Sequence, residues 1–230
     1  MKSIAIILAR GGSKGIPNKN ICNFCEKPLI YWTIMQCIKS KYVKKVYVSS
    51  DSKKILDYSS KIGATSILRP ANIAKDESSS EEAWNHSLNY IKDQNEELTK
   101  YILAPQVTSP LRSFSDFDNA LIKVNEKNLD SLLSVSAFKD FFVWKKEEGN
   151  FQSENYDYKN RQRRQLIVEK FHENGSFYIF KPTILRNHKN RLGGKIGYFL
   201  MENYKSFQID EIEDIKLCET IMKGYQLNEI

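Results

Sequence analysis

Apolar residues in this chain come as short runs that alternate with helical stripes. Ser3–Leu8 carries no charge and suits a strand buried on both faces. A glycine-rich stretch, 10–23, follows it. Pro28 then opens a segment in which Ile30, Ile34, Cys37 and Ile38 recur at helical spacing. Residues 45–49 predict a second strand, Ile55, Tyr58 and Ile62 a second helix, and Thr65–Leu68 a third strand. The serines at 78–80 offer a cap for a helix carrying Trp84, Leu88 and Ile91. Residues 101–104 read as a fourth strand, Ser115 as the cap of a helix with Phe117, Leu121 and Val124, and 131–135 as a fifth strand. Strands and helices alternating at this spacing imply an α/β fold with a mostly parallel sheet and helices on both faces. Ligands in such sheets bind beyond the carboxyl ends of the strands. The loops after Leu8, Ser49, Leu68 and Ala104 are therefore expected to line one cleft.

The pattern changes across 137–172. Phe138, Phe141, Phe142, Trp144, Phe151, Tyr156 and Tyr158 mix with charges, and no clean period emerges. An arm that pairs with a second subunit fits this better than another strand–helix unit, so a homodimer is expected. Order resumes with a strand at 175–180, and Ile212, Ile215, Cys218 and Met222 mark a last helix. The whole chain, 1–230, reads as a single domain bearing that arm.

Length and composition narrow the classes. With 230 residues the chain can bury one full α/β core, and 41% hydrophobic with 27% charged residues is ordinary for a soluble protein. No apolar run is long enough to cross a bilayer. The apolar start is too short for a secretory signal and leads straight into Arg10 and Lys14, so a cytoplasmic location is expected. The four cysteines include one CxxC pair, Cys22 and Cys25, but nothing completes a zinc site, and reduced structural thiols are the reading. A net charge of +7 permits an anionic partner, whether nucleic acid, nucleotide or acidic sugar.

The strongest chemical signal lies directly after the first strand: Ala9-Arg10-Gly11-Gly12-Ser13-Lys14-Gly15, then Lys19-Asn20. Glycines let backbone N–H groups approach phosphates, and Arg10, Lys14 and Lys19 can neutralise them. The spacing is neither GxGxxG nor GxxxxGK[ST], which disfavours a dinucleotide fold and a P-loop.

This loop resembles the nucleotide loop of CMP-sialic acid synthetases, the acylneuraminate cytidylyltransferase family. The resemblance continues through Pro28-Leu29-Ile30, Val48-Ser49-Ser50-Asp51, Arg69-Pro70, Thr108-Ser109-Pro110-Leu111-Arg112, Arg164-Gln165, the block from Glu173 to Tyr178, Gly193-Gly194-Lys195 and Ile209-Asp210. It implies a Rossmann-like nucleotidyltransferase fold. The implied reaction is transfer of CMP from CTP to the anomeric hydroxyl of a nine-carbon α-keto acid sugar, such as sialic or legionaminic acid, with release of pyrophosphate.

By resemblance, Ala9, Arg10, Gly11, Gly12, Ser13, Lys19 and Asn20 hold the triphosphate, with Lys19 at the reacting phosphates. Arg69, Ser78 and Ser80 match positions near cytosine and ribose. Gln106, Arg164, Asn174 and Tyr178 match the acceptor side, where an arginine suits a carboxylate. Arg10, Lys19, Gln106 and Asp210 form the expected catalytic set. At Gln106-Val107 the chain departs from the family's usual proline after the glutamine.

The family's Asp-x-Asp metal motif reads Gln208-Ile209-Asp210 here. Mg²⁺ keeps several waters, so Asp210 with phosphate oxygens can suffice, with Gln208 holding a metal-bound water. Glu211, Glu213 and Asp214 are the alternative ligands, although acids at 213 and 214 also suit a helix start. No side chain stands out as general base, and Gln106 cannot serve as one.

Two other readings stay open. A nucleic-acid-binding protein would explain the positive charge and the basic run from Lys159, but has no use for the glycine loop. A sugar nucleotidyltransferase of the same broad fold would use another NTP or acceptor. The reading adopted expects CTP and an acidic nine-carbon sugar as partners, and neither nucleic acid nor membrane.

Overall fold

The computed structural model of the chain describes residues 2–13, 15–137, 142–166 and 168–229, the side chain of Arg164 excepted. Lys14, Phe138 and Phe141 of the sequence expectations lie outside the described residues, as does the side chain of Arg164.

The elements run in the order β1 (Ser3–Leu8), the small hairpin β2 (Asn23–Phe24) and β3 (Lys27–Pro28), α1 (Leu29–Lys39), β4 (Val43–Ser50), α2 (Lys53–Lys61) and β5 (Thr65–Leu68). Then come α3 (Ser80–Asp93), β6 (Ile102–Pro105), α4 (Phe114–Glu126), β7 (Ser131–Ala137) and the hairpin β8 (Trp144–Glu147) with β9 (Asn150–Ser153). The chain ends with β10 (Phe171–Phe180), α5 (Pro182–His188), β11 (Ile196–Met201) and α6 (Ile212–Gly224). Seven strands form one sheet in the order β11-β7-β10-β6-β1-β4-β5. Among them β10 alone runs against its neighbours, antiparallel to both β6 and β7. The mostly parallel sheet expected from the alternation is thereby borne out.

Residues on β1 explain the layering. Successive side chains point to opposite faces. Ala5 and Ile7 enter a core shared with Ile30, Ile34 and Cys37 of α1, Phe117 and Leu121 of α4, and Cys218 and Met222 of α6. Ile4 and Ile6 enter the other core, with Trp84, Leu88 and Ile91 of α3 and Leu185 of α5. Helices cover both faces.

Local details differ from the sequence expectation in three places. The cap of α4 is Ser113, not Ser115: the carboxylate of Asp116 accepts from Ser113 N at 2.8 Å in a capping box. The last central strand starts at Phe171, four residues earlier than expected, and its register shifts between Glu173 and Tyr178. Gly175 sits inside that irregularity at φ +65°, a backbone position that suits glycine. The elements α5 and β11 were not expected, and neither were the small hairpins β2–β3 and β8–β9. β11 is an edge strand whose exposed Ile196, Tyr198 and Leu200 alternate with the core-facing Phe199 and Met201, so apolar residues on both faces hide the alternation in the sequence.

The region 137–172 contains a separate two-stranded hairpin, turned by positive φ at Glu148 and Gly149. Trp144 stacks on Phe151 at 5.0 Å between ring centroids, and Phe151 is 68% exposed. No helix among the described residues is long and apolar enough to cross a membrane.

Candidate active site

The carboxyl ends of β1, β5 and β6 open on a cleft of ≈ 570 Å³. Leu8, Arg10 and Ser13 line it from the first loop, Arg69 from the loop after β5, and Gln106 from the loop after β6. Ser78, Ser79 and Ser80 bring in the N-terminus of α3, whose capping box pairs Ser79 with Glu82. A helix start adds unpaired N–H groups and a positive dipole end to a cleft already rich in cations. The loop after β4 stays behind the cleft. From there Asp51 Oδ1 accepts from Gly11 N at 2.8 Å and fixes the turn of the glycine loop.

The glycine loop is anchored at several points. Ala9 is fully buried and donates its N–H to the Ser49 carbonyl at 3.0 Å. Asn20 Nδ2 donates to the Arg10 carbonyl at 2.8 Å, so Asn20 shapes the loop as well as lining the cleft. Gly12 is exposed, with open space where a Cβ would stand. Gly15 meets the chain from the far end of the sequence: a Cβ there would lie 2.4 Å from the Asp210 carbonyl oxygen. This approach brings Asp210 to the phosphate-loop side.

Two ion pairs occupy the mouth of the cleft. Arg10 Nη1 meets Asp76 Oδ1 at 2.5 Å, and Lys19 Nζ meets Asp210 Oδ1 at 3.0 Å. Lys19 also donates to the Ile209 carbonyl at 3.0 Å. Its side chain is 11% exposed, whereas that of Asp210 is 70% exposed. The cation is thus held in place and the carboxylate faces solvent. Arg69 is buried and donates to the Ser49 carbonyl at 2.6 Å and to its hydroxyl at 3.1 Å. Burial, with Arg10 close by, holds its pKa below the usual arginine value, while Asp51 opposes the shift.

The floor hangs on Arg112, which is fully buried. Its guanidinium donates to the carbonyls of Ser109, of Ser176 at 3.0 Å and of Gln106 at 3.0 Å, and to the Thr33 hydroxyl at 2.8 Å. Phe117 covers it at 5.3 Å. Burial pulls its pKa down to about 10. A charge so deep is tolerated because oxygen acceptors meet both Nη nitrogens, although the buried Nε has no hydrogen-bond partner among the described residues. The result fixes the backbone of Gln106 against β10. A second buried charge, Lys205, meets both carboxylate oxygens of Asp116 at 2.9 and 3.0 Å and steadies the approach to Asp210.

Of the expected acceptor residues, Gln106 lines the cleft. Asn174 is 1% exposed, and its amide is engaged by Ser134 at 2.7 Å and Ser136 at 2.9 Å. Tyr178 is buried beside Trp84, under the Arg191 guanidinium at 4.4 Å, and its hydroxyl donates to Glu173. Burial first, then that hydrogen bond, pushes the Tyr178 pKa up to about 12. Gln208 Nε2 donates to the Asn174 carbonyl at 2.9 Å.

A family model described as cytidylyltransferase matches residues 4–230. The chain belongs to the cytidylyltransferase family. The chain is 36% identical over 220 residues to the N-acylneuraminate cytidylyltransferase of Oncorhynchus mykiss, covering 94% of this chain and 49% of that one. It is 26% identical over 230 residues to the pseudaminic acid cytidylyltransferase of Campylobacter jejuni subsp. jejuni serotype O:23/36, covering 97% of each. The chain spans about half the length of the N-acylneuraminate cytidylyltransferases it matches and nearly all of the pseudaminic acid enzyme. The solved structure of CMP:2-keto-3-deoxy-manno-octonic acid synthetase complexed with CTP has the same fold. Its TM-score is 0.72 at 14% identity, covering 98% of this chain and 100% of that one.

The cleft gathers Arg10, Ser13, Lys19, Asn20, Arg69, Ser78, Ser80, Gln106 and Asp210 from six separate stretches of sequence. Ala9, Gly11, Asn174, Tyr178 and Gln208 lie behind that surface. Sequence reasoning did not single out Asp51, Asp76, Arg112 or Lys205. Asp51 and Arg112 do stand inside motifs that were noticed, and an acid directly after a strand is a usable signal. Nothing in the sequence marks Arg112 as buried.

Proposed function

We propose that the chain transfers CMP from CTP to the anomeric hydroxyl of a nine-carbon α-keto acid sugar and releases pyrophosphate. The observation that carries this reading is the meeting of Arg10, Lys19 and Asp210 with Gln106 in one cleft, in a chain of the cytidylyltransferase family. The triphosphate would lie along the glycine loop, and Arg69 and the start of α3 would face the nucleoside. The acceptor would enter beside Gln106.

In this reading the sugar hydroxyl attacks the α-phosphorus in line. The bond from that phosphorus to the bridging oxygen of pyrophosphate breaks as the new P–O bond forms. Lys19 and Arg10 stabilise the charge that gathers on the phosphates and the leaving group. Asp76 engages Arg10 and Asp210 engages Lys19. The hydroxyl proton is therefore assigned to solvent water.

Asp210 would hold Mg²⁺. Its carboxylate is exposed at the cleft, a hard oxygen ligand of the kind this ion takes, and no cluster of three or more His, Cys, Asp or Glu residues stands among the described residues. When bound, the ion would neutralise phosphate charge. The reading includes a homodimer built on the arm 137–172, supported by the exposed Trp144 and Phe151 of the hairpin β8–β9 and by the exposed Tyr158 that follows it. It also includes a cytoplasmic location, in keeping with four free cysteines.

The test is pyrophosphate release with each NTP against a panel of sialic, legionaminic and pseudaminic acids. CTP with one of these acids is expected to give a CMP-linked product. Release with another NTP and a sugar 1-phosphate, but not with CTP, overturns the reading.

A further inference from the structure

Gln208 stands where the resembled family has the first aspartate of its metal motif, and its surroundings point away from a metal. Its amide nitrogen donates to the Asn174 carbonyl at 2.9 Å. That nitrogen also lies 2.6 Å from the place where a Cβ on Gly175 would stand, and Gln106 Oε1 lies 3.2 Å from the same place. Two glutamine amides, from loops about a hundred residues apart in the chain, thus close on one glycine whose φ is +65°.

The platform beneath them is stiff. The Asn174 side chain is tied to Ser134 and Ser136 and accepts from Ser176 N at 3.1 Å. The Gln106 carbonyl is held by Arg112 and its N–H by the Ser176 carbonyl at 3.0 Å. Gln106 lines the cleft and Gln208 does not. The contact to Asn174 needs a donor at position 208. An aspartate there is one methylene too short to make this contact, and a glutamate would set a negative oxygen against the carbonyl oxygen, whereas the amide N–H satisfies it. The substitution of glutamine for the family's acid therefore changes the partner of this position as well as its charge.

We propose that Gln208 is a positioning residue for the acceptor side of the cleft. It seats Gln106 over Gly175 for hydrogen bonding to the neutral groups of the sugar acid, and it takes no part in holding a metal. This rests on the function proposed above.

The test uses the full chain and the variants Gln208→Glu and Gln208→Asp. Three quantities are measured: the KM for the acid, the KM for CTP, and the Mg²⁺ concentration that gives half-maximal rate. Calorimetric titration of CTP with Mg²⁺ supplies a readout without turnover. The expected result is about a tenfold rise in KM for the acid, with CTP affinity and Mg²⁺ demand unchanged. A carboxylate added to a metal shell would instead lower the Mg²⁺ demand and tighten CTP binding, and that result overturns the inference. A KM for the acid within twofold of wild type overturns it as well. Gln208→Met, close in length and without a donor, carries the same expectation and serves if the acidic variants fail to fold. The wild-type arm separates the two levels: a wild type that makes no CMP-linked product removes the functional reading itself.

Discussion

Lys19 and Asp210, 191 residues apart in sequence, form an ion pair at 3.0 Å across the mouth of the cleft. The pair joins the first loop of the sheet to the segment that precedes the last helix. It also unites the cation assigned to the reacting phosphates with the carboxylate assigned to the metal, so each sets the other's position.

Lys19→Ala is expected to lower turnover by about 10²–10³, the usual cost of losing a placed donor to a transition-state anion. The melting temperature should move little, because the bonds lost lie at the rim of the fold. Initial rates and a thermal melt check both halves. Turnover within threefold of wild type would take Lys19 out of the reacting centre.

Asp210→Asn should raise the Mg²⁺ needed for half-maximal rate by about tenfold or more while leaving the fold intact. A rate-against-Mg²⁺ titration reads this directly. An unchanged curve would turn attention to Glu211, Glu213 and Asp214.

Gly15→Ala tests the close approach of the two loops. The added methyl would meet the Asp210 carbonyl at 2.4 Å, so one loop must shift. Displacement of catalytic groups by about an ångström can cost up to a hundredfold in rate. The expected outcome is a large fall in kcat/KM with a near-normal melting temperature. Full activity would show that the loops separate without consequence.

Acid should weaken the fold through a defined set of carboxylates. Glu96 is held below the ordinary value of 4.5 by hydrogen bonds from Lys45 and Tyr47. Asp214 is held low by the backbone N–H groups of Glu211 and Asp210. Groups with a depressed folded pKa contribute stability that is complete above the ordinary carboxylate range and is lost as pH falls through their folded values. Melting temperatures should thus be flat near neutrality and drop below about pH 4.5. Glu96→Gln should flatten part of that drop, and an unchanged acid limb would exclude Glu96 as a contributor.

Much of this architecture can be read from side-chain period alone. β1 and its glycine loop, the stripes of α1 to α4 and the cleft beyond the strand ends follow from apolar spacing, because each buries a face in the way its period requires. β11 and α5 escape that reasoning. Ile196, Tyr198 and Leu200 lie exposed on an edge strand, and α5 is only seven residues long. At the site, charged residues beside a phosphate loop announce themselves. The residues that hold the loops do not: an arginine is ordinarily a surface residue, and only tertiary structure reveals that Arg112 lies wholly inside.

That buried arginine has a consequence for how the protein meets salt. Its partners are neutral carbonyls and a hydroxyl out of contact with water, so mobile ions have nothing there to screen. The pairs at the cleft mouth, Arg10 with Asp76 and Lys19 with Asp210, stand partly in solvent, where the Debye length is about 8 Å at physiological ionic strength. Rising ionic strength should therefore loosen the rim and weaken the hold on an anionic ligand, while the floor that orients Gln106 stays as it is.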